Sequence, residues 1–282
     1  MMGQVSFWGV QHGLGVTSNT AAIAALIGLE YDLRSLISQP QWSDSTLERS
    51  FSKTINQYNR RFLEVSGTGL DALERAVRSS KLERETIKNH SLMIERDRLD
   101  LLSGSEKSDK TLFERSNELF NIVFQRAQEY YDALLLDVHS GLNSPSIVDT
   151  LRNSDLIVVC LNQNINVLDK YFLNYYKSLP EEVRRIPQLI LIGQYDPDSK
   201  YKVRNIAAKY KFKGRIAAIP YNTSFRDHFN DGDVKGFFAR NGSVSSTHEN
   251  YYFIHEVRKV TELILTEIGI NPKLKYSERR AL

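Results

Sequence analysis

Residues 9–20 read "GVQHGLGVTSNT", preceded by the apolar run Val5-Ser6-Phe7-Trp8 and followed by the Ala-rich residues 21–26. A short hydrophobic strand, a glycine-rich turn and a helix start, in that order, form the setting of a phosphate-binding loop. The glycines let successive backbone N–H groups point inward, and the helix N-terminus adds partial positive charge. A working loop of this kind also carries a lysine for the outer phosphates and a hydroxyl for a magnesium ion. Gly13, Gly15, Thr17 and Ser18 supply the glycines and hydroxyls here, but Val16 stands where the lysine belongs.

Working outward, short apolar runs rich in β-branched residues alternate with helical patterns, the arrangement that gives a parallel sheet covered by helices. Strands are expected at Gln4 to Val10, Arg34 to Ser38, Arg98 to Leu102, Ala133 to Val138, Leu156 to Leu161, Gln188 to Gly193 and Ile216 to Ile219. The fold class is therefore α/β, a doubly wound, mostly parallel sheet of about seven strands with helices on both faces. Helices are expected at Ser18 to Leu29, Leu70 to Arg78, Thr111 to Tyr130, Pro145 to Arg152, Val167 to Ser178, Lys200 to Tyr210 and His248 to Ile268. In the last, Ile254, Val257, Val260, Thr261, Ile264, Leu265 and Ile268 recur at spacings of three and four, one apolar stripe for the sheet. Residues 1–270 read as a single domain, with a polar helical insertion at about 43–97 and a polar basic tail at 271–282.

Composition agrees with an ordinary globular chain: 41% hydrophobic, 25% charged and a net charge of +3 over 282 residues. The bulk charge neither demands nor excludes a nucleic-acid partner. A single cysteine, Cys160, lies inside an apolar run, so no intrachain disulfide is available and a buried thiol is expected. The N-terminus lacks signal-peptide organisation and no apolar run approaches the ~20 residues of a spanning helix. The expected location is the cytoplasm.

The loop resembles the deviant Walker A loop of the MinD/ParA family, whose pattern Lys-Gly-Gly-Val-Gly-Lys-Thr-Thr falls on Gln11, His12, Gly13, Leu14, Gly15, Val16, Thr17 and Ser18. Both family lysines are replaced, the signature lysine by Gln11 and the loop lysine by Val16. In that family the first reaches across a dimer to the partner's nucleotide and the second neutralises the phosphates of its own subunit. "YYDALLLDVHSGLNS" at 130–144 resembles the family's second aspartate strand, which implies that Asp137 faces the magnesium and the attacking water as the catalytic carboxylate. The segment beginning "LILIGQYDPDSK" resembles the one that holds the adenine, with Gln194 at or beside the base-reading position and Pro220 and Tyr221 flanking the base. Active members usually end the second strand with an aspartate; here Gln39 and Gln41 occupy that region. A magnesium ion would then rest on Thr17 and Asp137.

Within the family the nearest appearance is that of CpaE/TadZ-like pilus-localisation proteins, carried by "TGLDALERAVRS", "DRLDLLSGSEKSD" and "YDPDSKYKVRNIAAKYKF". This resemblance implies a homodimeric positioning platform for a type IV-like (Tad/Flp) pilus or similar envelope machine, recruited to the inner face of the membrane through its partners. Loss of a loop lysine removes a charge-assisted contact worth about 1.5–3 kcal/mol while the backbone amides stay, so weak ATP binding survives on this reading and fast hydrolysis does not. The alternative is an active partition ATPase that binds DNA through Arg204, Lys209, Lys211, Lys213 and Arg215; an enzyme of other chemistry on the same fold is the third reading. His12 and His139 both fall at loop ends on the nucleotide face, where they read as polar loop residues rather than a metal pair. Tyr171, Phe172, Tyr175 and Tyr176 read as core plus a dimer face.

Overall fold

The computed structural model describes residues 3–41, 46–58, 68–105, 107 and 109–273. Its centre is an eight-stranded sheet: β1 Gly3–Trp8, β2 Ser35–Ser38, β3 Leu92–Glu95, β4 Leu99–Leu102, β5 Ala133–Asp137, β6 Leu156–Leu161, β7 Gln188–Tyr195 and β8 Arg215–Pro220. The spatial order is β3-β4-β2-β5-β1-β6-β7-β8, and every pair is parallel except β3 with β4. β1 therefore lies in the middle, between β5 and β6, where strand order reverses and the loop after it opens into the crevice at the carboxyl edge.

Alternation along the strands divides the core into two layers. Val5 and Phe7 of β1, Ala133 and Leu135 of β5, and Leu156, Val158 and Cys160 of β6 pack on one face. Trp8, Leu134, Leu136, Ile157, Val159 and Leu161 pack on the other. This parity has a direct consequence for the site: Asp137, two residues beyond Leu135, faces the side that carries the helix Val16–Glu30.

That helix is almost wholly buried, and its small residues Ala21, Ala22, Ala24, Ala25 and Gly28 let it lie close against the sheet. A Cβ on Gly28 would come within 2.8 Å of the Leu99 Cβ, so the approach there leaves no room for a side chain. The helix Tyr251–Glu267 packs on the same face through Ile254, Val257, Val260, Ile264 and Leu265 of the expected stripe, joined by Phe253. Cys160 is buried and free.

Each of the seven expected strands is present, and the eighth, β3, lies inside the segment read as a polar helical insertion. Leu92 and Ile94 are buried while Met93 and Glu95 are half-buried, a two-residue period too short to stand out among charged neighbours. That segment also holds the helices Thr46–Ser50, Ser52–Tyr58, Gly69–Arg78 and Arg84–Asn89. Leu47, Phe51, Ile55, Leu70, Leu73 and Ile87 are core residues, so the segment is part of the packed body.

The expected helix at 111–130 is two helices, Lys110–Glu114 and Asn117–Ala127; Ser116 N–H bonds back three residues to Phe113 O and tightens the turn between them. The one expected at 167–178 widens into a π-helical stretch, Lys170–Tyr175, flanked by Ile165–Asp169 and Tyr176–Ser178. Two further helices, Thr223–Asn230 and Val234–Asn241, bring Phe225, Phe237 and Phe238 into the core without a matching expectation. The end of the basic tail, residues 274–282, lies outside the described residues.

Candidate functional site

The turn after β1 has the backbone of a phosphate cradle. Gly13 and Gly15 sit at φ 82° and 76°, the left-handed region in which only glycine is unstrained. Gly15 is the N-cap of Val16–Glu30 with no side-chain cap hydrogen bond, and the first turn carries no acidic residue. The helix thus presents its first N–H groups uncapped toward the cleft, which suits an anion.

The turn is fastened from the side. Trp8 Nε1 donates to Gly141 O at 2.7 Å and Gly141 N donates to Gly9 O at 2.9 Å, zipping the loop after β5 onto the one after β1. His12 and His139 meet as a consequence, ring centroids 4.7 Å apart and nearly perpendicular. Partial burial, with a lesser contribution from His12 and Lys110, holds the His139 imidazole below the usual histidine range.

The side chains of the turn depart from the cradle chemistry. Val16 is only 8% exposed and packs into the core beside Gly9, so it offers the cleft nothing that could meet a phosphate. Leu14 is buried in the opposite layer. Gln11 is exposed and its Oε1 accepts from Lys170 Nζ at 3.2 Å, which brings a lysine of the π-helical stretch to the position where the family signature lysine begins. Ser18 Oγ donates to Gly15 O at 3.1 Å.

Strand register explains the third part of the site. Ser38 of β2 stands opposite Leu136 of β5, so the next residues on these parallel strands, Gln39 and Asp137, emerge side by side. Gln39 Nε2 donates to Asp137 Oδ2 at 2.6 Å, and Thr17 lies against the same pair, its Oγ1 3.4 Å from Gln39 Nε2. Asp137 is 3% exposed. Burial pushes its carboxyl up to about 7, against the opposing pull of hydrogen bonds from Thr17 and Gln39.

The cleft, of about 340 Å³, is lined by the loop glycines, Val16, Thr17, Ser18, Gln39, Gln41, Thr46, Asp137, His139 and Gln194. Among the described residues neither Lys nor Arg lines it. It continues past Ser18 and Gln194 into a smaller, mostly apolar recess of about 70 Å³ that contains Pro220, Tyr221, Phe225 and Phe253. The three residues assigned from the sequence to the base, Gln194, Pro220 and Tyr221, are brought together there. Gln194 has φ 51° at a bulge between β7 and β8, which turns its side chain out of the strand alternation.

Asn19, missed in the sequence, lines this recess and is 5% exposed. Its Nδ2 has no hydrogen-bond partner, and its side chain lies beside the Cys160 sulfur, a weak acceptor. A Cβ on Gly193 would come within 2.9 Å of this Nδ2, so glycine is what lets the strand pass the amide. Its only signal was a position one turn into the helix, and the polar run Thr17-Ser18-Asn19-Thr20 hid it among its neighbours.

A nucleotide fits the cradle and recess, whose uncapped helix start and orphan amide are both donors awaiting acceptors. Magnesium does not fit the residues as they stand. It demands about six oxygens at roughly 2.1 Å, whereas Thr17 and Asp137 offer two groups with a carboxamide donor between them. No cluster of three or more His, Cys, Asp or Glu suited to a metal exists among the described residues.

No protein family and no curated protein matches the sequence. Solved structures do match the fold. A ParA family ATPase from Chlorobium tepidum is 16% identical, with 90% of this chain and 96% of that one covered at a TM-score of 0.67. A putative plasmid partition protein from Borrelia burgdorferi bound to AMPPNP is 12% identical, covering 95% and 100% at 0.67. The septum site-determining protein MinD from Pyrococcus horikoshii, complexed with Mg-ADP, is 17% identical, covering 96% and 100% at 0.62. The chain has the MinD/ParA fold.

Proposed function

We propose that this chain is a MinD/ParA-like pseudo-ATPase, a protein that retains a weak nucleotide site as a structural element and works as a dimeric platform for positioning or assembling an envelope machine. The observation that carries this reading is the phosphate end of the cleft: a cradle of backbone N–H groups with buried Val16 in the lysine's place and, among the described residues, no lysine or arginine on its walls. Backbone donors and a helix N-terminus hold a ground-state phosphate moderately. Without the mobile cations that meet the charge developing in phosphoryl transfer, turnover loses several decades. Asp137, buried and engaged by two donors, is on this reading a structural carboxyl rather than a catalytic one.

The platform role draws on the CpaE/TadZ-like segments, so a type IV-like pilus is the proposed machine. Exposed Leu173, within the π-helical stretch that delivers Lys170 to the loop, and exposed Tyr176, just after it, suit the dimer face. No described helix is long and apolar enough to cross a membrane, and the proposed recruitment to the membrane runs through partners.

Calorimetry with ATP, followed by a turnover assay, tests the reading. Micromolar binding without hydrolysis is the expected result; steady hydrolysis by the unaltered chain overturns it. Sedimentation at micromolar protein, with and without ATP, checks the dimer.

A partition ATPase is the second reading, favoured by exposed Arg204, Lys211 and Lys213 near the β8 edge. Two of the five cations in that run already face acids, Lys209 toward Asp169 at 3.9 Å and Arg215 toward Glu267 at 2.5 Å. DNA binding that falls steeply with salt would favour this reading over the first.

A further inference from the structure

In the fold to which this chain belongs, a phosphate cradle beside a strand-end aspartate invites a divalent cation. Three atoms decide whether one can enter. Asp137 Oδ2 and Thr17 Oγ1 are the oxygens such a cation would meet; Gln39 Nε2 reaches both, at 2.6 and 3.4 Å, and the Thr17 hydroxyl also hydrogen-bonds Asp137. The amide cannot turn over. Gln39 Oε1 accepts from the backbone N–H of Leu47 at 3.3 Å, so a flipped amide would set NH2 against that N–H and, once Asp137 is ionised, oxygen against the carboxylate. Gln39 is 5% exposed and Asp137 3%, so water does not compete well for either partner.

We propose that the Gln39 carboxamide is the built-in occupant of the cation's place between Thr17 and Asp137, and that this site takes phosphate-bearing ligands without a metal. The proposal rests on reading the loop as a retained phosphate cradle. An NH2 group carries partial positive charge and two donors, which satisfy the carboxylate and reach toward the hydroxyl as a cation would. It adds what a cation would not, a covalent tether to β2 and, through Leu47, to the start of the helix Thr46–Ser50. The clasp therefore holds the start of the helix Thr46–Ser50 against the cleft whether or not ligand is present.

Two measurements on the full chain test it. In the first, ADP is titrated calorimetrically in magnesium and, separately, in EDTA at matched ionic strength. The expected affinities agree within about twofold, and a tightening of about tenfold or more by magnesium overturns the proposal. The second uses Mn2+ alone, without nucleotide, and reads the thermal midpoint above neutral pH. The unaltered chain should not respond. Gln39→Glu changes one NH2 to oxygen with little change of shape and sets two carboxylates face to face, a pair that must recruit a proton or a cation.

The midpoint of Gln39→Glu should rise by about 5 °C with saturating Mn2+; refolding that occurs only with Mn2+ is the same result. Gln39→Asp gives a second test should the longer carboxylate not fold under either condition. A rise for the unaltered chain, or folded Gln39→Glu and Gln39→Asp proteins that ignore Mn2+, overturns the proposal. If ADP binds under neither condition while the Mn2+ results are as expected, the clasp stands and it is the cradle reading that fails.

Discussion

The two ends of the cleft have fared differently. At the glycine-turn end the backbone has the shape of a phosphate cradle, with Gly13 and Gly15 left-handed and the helix start uncapped, while the side chains bring no cation: Val16 is buried and the Gln39 amide bonds Asp137. At the base end the recess beside Gln194, Pro220 and Tyr221 is open and apolar, and Asn19 keeps a donor without a strong acceptor. The lesson is that a loop's conformation is set by glycine positions and neighbouring strands, so it survives the loss of a lysine. Charge compensation resides in single side chains and vanishes with one substitution.

The largest expected effect belongs to the buried carboxyl at the phosphate end. Its folded value of about 7 lies above the ordinary 3.8, so from about pH 4 upward the unfolded chain releases this proton before the folded one does. Stability is fully present below that range and is lost as pH rises through about 7. Asp137→Asn removes the titration; its stability relative to the unaltered chain should climb between pH 5 and pH 8, by on the order of 2–4 kcal/mol in urea unfolding. A constant difference across that range would mean that Asp137 is ionised in the fold and that the phosphate end has more cation than its walls show.

Val16→Lys comes next. Restoring the loop cation should tighten ATP by about one to two decades in calorimetry, with a loss of about 1 kcal/mol in stability from the apolar contacts given up. No change in affinity would mean that ligand never reaches this end, and the contrast between the two ends would collapse.

Asn19→Ala probes the other end. Removing an unpartnered buried amide should leave stability within about 1 kcal/mol, while ATP binds several-fold more weakly and an isolated triphosphate is unaffected. Equal weakening of both ligands would place Asn19 at the phosphates instead.

The smallest effect is expected outside the cleft. Lys213→Ala should change ATP affinity and stability by less than about 0.5 kcal/mol, and a larger loss of affinity would extend the ligand's path to the β8 edge.

Much of this architecture could be read from residue order alone. Apolar runs such as Leu156–Leu161 and Gln188–Gly193 are buried on both faces, so they stand out as strands wherever they sit. β3 and the helices Thr223–Asn230 and Val234–Asn241 were illegible because their apolar residues are few and bury against distant partners: Phe225 stacks on Phe253 at 4.7 Å, and Leu92 and Ile94 join the core layer of Ile23 and Phe51. The stretch 111–130 carries one helical pattern but breaks at Arg115 and Ser116, where packing rather than propensity sets the ends.

The same division runs through the site. Sequence by itself determined the loop, the absence of its lysines and the aspartate strand, because each is a local pattern of residue types beside a strand; Gln194, Pro220 and Tyr221 were picked out by family resemblance, and the structure gathers them beside one recess. Only the tertiary structure decided what Gln39 does. Its partner Asp137 is 98 residues away, and the bond exists because parallel β2 and β5 carry the two side chains out in register into a space that excludes water.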